Sequence, residues 1–150
     1  MMMKHILVPY DGSEQAEKAF DAALEFAEKF KSAITVLFVA RIPEPPESVA
    51  RMSEPPEDEE TEAIVAAAEK QYEELFKKLQ AKATASLSLK LNFEIKGGHP
   101  AEQIIYVAEE KEVDHIVMGH RGNTYFKRWL LGSVAKQVMI YAHCSITIVR

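Results

Sequence analysis

The sequence predicts an α/β fold, an open five-stranded parallel sheet with helices on both faces. Three observations carry that expectation. Short apolar, β-rich runs alternate with longer amphipathic segments, the pattern of strands joined by crossover helices. Ile34–Val39 is apolar at nearly every position, as burial on both faces of a parallel sheet requires. The chain has 150 residues, 47% apolar and 27% charged, which fits residues 1–150 forming a single domain with one core.

The elements follow in order. His5–Val8 is the first strand, and the turn Pro9-Tyr10-Asp11-Gly12 leads to a helix beginning near Ser13. In that helix Ala16, Phe20, Ala23, Leu24, Ala27 and Phe30 recur at spacings of three and four, which places them on one buried face. Ile34–Val39 is the second strand. Residues from about 41 to 58 are acidic and proline-rich (Pro43, Pro45, Pro46, Pro55, Pro56), and paired prolines among like charges read as a surface loop. A long helix spans Asp58–Ala83, with Ile64, Ala68, Tyr72, Leu75, Phe76 and Leu79 facing inward. Glu73–Lys77 and Glu74–Lys78 support its outer face. Leu87–Ile95 alternates apolar and polar residues, as an edge strand with one wet face does. Gly97-Gly98-His99-Pro100 punctuates it, and Pro100 suits the first turn of a helix over Ala101–Lys111. His115–Met118 is the fourth strand. A loop over Gly119–Leu131 leads to a helix from Gly132-Ser133 to Tyr141, and Cys144–Val149 is the last strand. Right-handed crossovers over one parallel sheet connect such an order most economically.

Charge and composition exclude several functions. The formal charge is −5, yet residues 40–60 alone hold seven acids and two bases, so the rest of the chain is neutral. That distribution leaves no electrostatic footprint for nucleic acid. The apolar runs are too short to cross a bilayer, and the first residues enter a strand with no signal-peptide pattern, so the expected location is cytoplasmic. One cysteine, Cys144, forms no internal disulfide and reads as a small buried hydrophobe. His5, His115 and His143 are scattered without metal-ligand spacing, and His99 before Pro100 reads as a turn residue.

In a sheet of this kind ligands sit beyond the carboxyl ends of the strands, where the strand order reverses. That directs attention to Pro9–Gly12, Val39–Ala40 and Met118–Gly122. The informative segment is Met118-Gly119-His120-Arg121-Gly122, followed after nine residues by Gly132-Ser133-Val134. Gly119 ends a buried strand, and Gly122 gives the loop backbone freedom. Gly132-Ser133 opens a helix whose free amides and partial positive charge suit phosphate. Ser133 has a hydroxyl for capping the helix or for a phosphate oxygen. Neither the G-x-x-x-x-G-K-[ST] loop nor G-x-G-x-x-G after the first strand is present. Taken alone, the three glycines and the serine read equally as loop flexibility and a helix cap.

The spacing G-x2-G-x9-G-[ST] after the fourth strand resembles the ATP-binding signature of the universal stress protein family. The opening Ile6-Leu7-Val8-Pro9-Tyr10-Asp11-Gly12-Ser13 is similar to that family's first strand and loop. Val113–Gly119 and Leu130–Ala135 are similar to its later landmarks, so the resemblance spans nearly the whole chain. It implies a Rossmann-like fold of the adenine-nucleotide alpha-hydrolase kind and an ATP, ADP or AMP ligand. Pro9, Tyr10 and Asp11 would then lie at the ribose and triphosphate end, with Asp11 a candidate Mg2+ contact. Val39 and Ala40 would meet adenine, with Met118 and Gly119 as the neighbouring wall. His120, Arg121, Gly122, Asn123, Gly132, Ser133 and Val134 would surround the phosphates. Two departures stand out. His120 occupies a position where a small residue is common, and Cys144-Ser145 replaces the usual turn before the last strand.

Each candidate also has a structural reading. Asp11 reads as a cap of the first helix with Ser13, and Arg121, Lys127 and Arg128 as solvated loop cations. Trp129 and Phe126 read as packing anchors for the loop. Three functions remain open. The first is a regulatory adenine-nucleotide-binding protein whose occupancy is a signal; the second is a slow ATP hydrolase or phosphotransfer enzyme. The third is a nucleotide-free dimerisation module. No residue stands out as a catalytic base for phosphoryl transfer. The last strand, residues 145–149, would be an exposed apolar edge in a monomer, so a homodimer through it is expected. Nucleic acid and membrane are not expected partners.

Overall fold

The computed structural model describes residues 3–41, 59–84, 89–121 and 131–150. The elements run β1 (His5–Pro9), α1 (Glu14–Phe30), β2 (Ala33–Arg41), α2 (Glu59–Thr84), β3 (Leu91–Gly98), α3 (Pro100–Glu110), β4 (His115–Gly119), α4 (Ser133–Tyr141) and β5 (Ser145–Val149). All strand pairs are parallel, in the order β3-β2-β1-β4-β5. The chain therefore builds outward from β1 to one edge, crosses back, and builds from β4 to the other. The reversal lies between β1 and β4.

Strand periodicity divides the core into two layers. Ile6 and Val8 of β1 and Ile34 and Val36 of β2 meet Ala16, Phe20, Ala23 and Ala27 of α1 and Leu79 of α2. Leu7, Leu37, Ile116 and Met118 point the other way, onto Ala101, Ile104, Val107 and Ala108 of α3 and Ala135 and Val138 of α4. Successive strand side chains alternate faces, so a run of apolar residues feeds both layers at once. Among the described residues no helix is long and apolar enough to cross a membrane.

Local chemistry fixes the helix ends. Ser13 caps α1, its Oγ accepting from the Ala16 amide at 3.1 Å. Pro100 occupies the first turn of α3. Lys77 Nζ lies 3.8 Å from both Glu73 and Glu74, so Glu74 pairs with Lys77 in place of the expected Lys78.

Other expectations need correction. β3 begins later than Leu87 and continues through Gly97 and Gly98, which stand opposite Ala40 and Arg41 of β2. The partner strand, not the glycine pair, sets where the ladder ends. Phe30 is 54% exposed although it continues the buried stripe, because α1 stops there and Lys31 turns the chain at φ 55. Gly119 belongs to β4 and stands opposite Val149. Of the expected acidic loop, only Arg41 falls among the described residues, as the last residue of β2.

Candidate functional site

Four chain segments converge at the carboxyl ends of the strands flanking the reversal. The first is the β1–α1 turn. Asp11 Oδ1 accepts from the Ser13 amide at 2.9 Å, an Asx turn that aims α1. Gly12 has φ +82, and a side chain there would point at Leu75 of α2. Asp11 therefore serves the helix start, from a position at the carboxyl end of β1. Its charge also raises the Tyr72 pKa, second to burial, which sets α2 beside this turn.

Tyr10 behaves differently from its neighbours. Its side chain is 3% exposed and belongs to the α1–α2 layer, where its hydroxyl donates to Glu17 Oε1 at 2.6 Å. Burial first, then the Glu17 bond and charge, push its pKa well above the usual phenol value. Lys82 Nζ reaches Glu17 at 2.8 Å and Asp21 at 3.1 Å. Burial raises the Glu17 pKa, but hydrogen bonds from Lys82 and Tyr10 outweigh it and hold the carboxyl below its ordinary value. Tyr10 thus anchors the turn from beneath, and at the site it offers backbone.

The second and third segments are the ends of β2 and β4. Val39 and Met118 share the α3–α4 layer with Val134 and Leu131, giving an apolar wall on one face of the sheet. Ala40, the next residue of β2, is buried at 7% exposure, and strand alternation turns its side chain to the opposite face. Gly119 is fixed by packing: a Cβ there would lie 2.8 Å from Gln15 Cβ and 3.1 Å from the Gln15 carbonyl. The missing side chain lets the first turn of α1 press against the end of β4.

The fourth segment is the start of α4. Gly132 donates its amide to the His120 carbonyl at 2.8 Å, and a Cβ on it would lie 3.2 Å from Arg121 Cα. His120 in turn donates its amide to the Val149 carbonyl at 2.9 Å. The loop leaving β4 is thereby held against the N-terminus of α4. Gly132 is the N-cap, so Ser133 does not cap the helix as its sequence position suggested. It occupies the first helical position with an exposed side chain. Gly122, Asn123, Phe126, Lys127, Arg128 and Trp129 lie outside the described residues.

Electrostatics choose among the helix starts. Glu14 and Glu17 fill the first turn of α1 and Glu102 that of α3, so both already hold negative charge there. The first turn of α4 has no acid. An anion is therefore most favourably placed at α4. Nδ1 of His120 is buried without a partner beside this helix start.

Two of the other histidines, His5 and His115, bond within the sheet. His5 Nε2 and His115 Nε2 each sit 2.7 Å from a threonine of the neighbouring strand, Thr35 and Thr147. Both begin strands, at the opposite end of the sheet. Burial pushes the Cys144 thiol pKa up, the opposite of an activated nucleophile. Among the described residues no group of three or more His, Cys, Asp or Glu could hold a metal. Sequence reasoning missed Gln15, Tyr72 and Leu75 as walls of the turn, because their contacts with Gly119 and the Asp11–Gly12 turn are tertiary.

The sequence model described as the universal stress protein family matches residues 2–150. A universal stress protein of Methanocaldococcus jannaschii is 32% identical over 149 residues, covering 99% of this chain and 83% of that one. The solved universal stress protein UspA of Lactobacillus plantarum superimposes with a TM-score of 0.80 at 26% identity, covering 100% and 99% of the two chains. Two further solved structures, both 19% identical, share the fold. One is a universal stress protein in complex with cAMP, TM-score 0.72, covering 100% of this chain and 99% of that one. The other is from Archaeoglobus fulgidus in complex with dAMP, TM-score 0.61, covering 100% of both.

Proposed function

The chain belongs to the universal stress protein family, and on that premise we propose that it binds an adenine nucleotide, ATP foremost, with occupancy read as a signal in a stress response. The observation that carries the reading is the β4–α4 junction. There Gly132 is clasped to the His120 carbonyl, and the helix start it caps has no acid in its first turn. That arrangement suits phosphate, and the apolar wall of Val39, Met118 and Val134 suits a purine face. The cAMP and dAMP complexes of other universal stress proteins support the same ligand class.

In this reading Pro9 and Asp11 meet the ribose and the triphosphate, and Val39, Ala40, Met118 and Gly119 meet the base. His120, Arg121, Gly122, Asn123, Gly132, Ser133 and Val134 surround the phosphates. Asp11 Oδ1 accepts from the Ser13 amide, and in this reading any Mg2+ arrives on the nucleotide, with Asp11 as one further contact. Turnover is slow or absent, since the described residues supply no base poised for phosphoryl transfer. The protein works in the cytoplasm as a homodimer through β5. That strand is an edge of the sheet, and Ile140 and Tyr141, at the end of the helix that precedes it in the chain, are exposed.

The test is calorimetric titration with ATP and Mg2+ of the wild-type protein and Ser133→Asp. One nucleotide per chain should bind the wild type. An aspartate in the first turn of α4 should keep or raise stability by about 0.3–1 kcal/mol through the helix dipole while repelling phosphate. Binding retained in Ser133→Asp would remove α4 from the site, and no binding to the wild type would leave the dimerisation module as the function.

A further inference from the structure

Among the described residues, five buried side-chain atoms lack a hydrogen-bond partner: Glu94 Oε2, His99 Nδ1, Gln103 Oε1, His115 Nδ1 and His120 Nδ1. Three of them, on His99, Gln103 and His120, lie just past the carboxyl ends of β3 and β4. A buried unpaired polar atom is unfavourable by about 1–3 kcal/mol, so each of these calls for a partner.

Gln103 is the most informative of the three. It is 2% exposed, on the first turns of α3 between Ala101 and Ile104, which pack in the same layer as Val39 and Met118. Its side chain packs over Gly98, which at φ +141 has no side chain of its own: a Cβ there would lie 3.1 Å from Gln103 Nε2 and 3.3 Å from its Cγ, so the amide nitrogen is the nearer of the two amide ends to β3. Gly97 and Gly98 stand opposite Ala40 and Arg41, so Gln103 packs on the strand that neighbours the end of β2.

An amide oxygen accepts only, so its occupant must bring an N–H or O–H. Phosphate brings none at neutral pH. The ribose would sit at Pro9 and Asp11 on β1, two strands from β3, whereas the base would sit at Val39 and Ala40 on β2, the neighbour of β3. Glutamine is well matched to adenine, which offers an exocyclic amine beside ring acceptors. We infer that Gln103, braced by Gly98, accepts a hydrogen bond from the exocyclic amine of adenine and is the residue that selects adenine over purines lacking that amine. This inference rests on the nucleotide reading given above and adds a specificity determinant to it.

The test titrates ATP and purine riboside 5′-triphosphate, which differ only in the exocyclic amine, into the wild-type protein and Gln103→Met. The wild type should prefer ATP by about tenfold or more, the scale of one good base contact. Gln103→Met should bind both within about threefold of each other, while its melting temperature confirms the fold. Equal binding by the wild type, or a preference kept by Gln103→Met, overturns the inference and leaves the nucleotide reading standing. If neither nucleotide binds the wild type, both fall. Should Gln103→Met fail to fold, the side-chain amide resonance of wild-type Gln103 decides. It must shift on ATP and stay in place with purine riboside triphosphate, and any other outcome overturns the assignment.

Discussion

Replacing Gly119 with alanine adds one methyl group, and the structure says where it goes. The new Cβ would sit 2.8 Å from Gln15 Cβ and 3.1 Å from the Gln15 carbonyl carbon and oxygen. Carbon atoms pack best at about 3.5–4.0 Å, so relief needs a shift of roughly 1 Å between α1 and β4. No rotamer change supplies it, since the clashing atoms are backbone and Cβ. The first turn of α1 is also tied down, by the Ser13 cap and by Phe20, which is fully buried. Overpacking of this kind is unfavourable by about 1–3 kcal/mol. Gly→Ala recovers about 0.4–1 kcal/mol from the unfolded chain. The net loss should be roughly 1–2 kcal/mol, or a fall in Tm of about 2–8 °C for a domain of this size. Urea denaturation measures it as a lower midpoint with an unchanged m-value. A variant as stable as the wild type would refute the claim that Gly119 exists to admit α1.

Three further outcomes follow from the contacts. Tyr10→Phe removes the buried hydroxyl that bonds Glu17; since Glu17 keeps Lys82 and partial exposure, the loss should be about 1 kcal/mol by urea denaturation. Burial depresses the His115 pKa, against a smaller opposing effect of Asp114. The unfolded chain therefore takes up a proton at His115 before the folded one does. The stability this site contributes is present above about pH 6.5 and is lost as pH falls toward the folded value. His115→Gln should flatten the decline in Tm between pH 7.5 and 5.5, and an unchanged slope would refute it. Ile140→Lys combined with Tyr141→Lys should turn a dimer into a monomer in sedimentation equilibrium, and a monomeric wild type would refute the β5 interface.

Strand and helix order was legible because periodicity is local: Ile6 and Leu7 reveal a doubly buried strand without knowing what covers it. Ser13 and Pro100 were legible for the same reason, each acting within one helical turn. What could not be read depends on distant partners. β3 runs through Gly97 and Gly98 because Ala40 and Arg41 are there to pair with them. Phe30 continues the stripe in sequence, but α1 turns away before it can be covered. Nothing in the sequence singles out Gln103 between Ala101 and Ile104; its burial against Gly98 does.

The glycines of the motif invite a choice between structure and ligand that the packing dissolves. Gly119 and Gly132 each have a sufficient mechanical reason to lack a side chain: Gln15 in one case, the Arg121 backbone in the other. Yet those two close approaches are what draw the starts of α1 and α4 together around the end of β4. A helix N-terminus with no acid in its first turn, beside the strand reversal, suits a phosphate. On the proposed reading, a side chain at either position would act on binding through displacement of a helix as well as at the nucleotide itself. For Gly119 the displaced helix is α1, so affinity and stability should fall together. For Ser133, exposed and already outside the cap, they should separate. That contrast, measured on Gly119→Ala and Ser133→Asp side by side, separates an effect through packing from an effect at the proposed phosphate position.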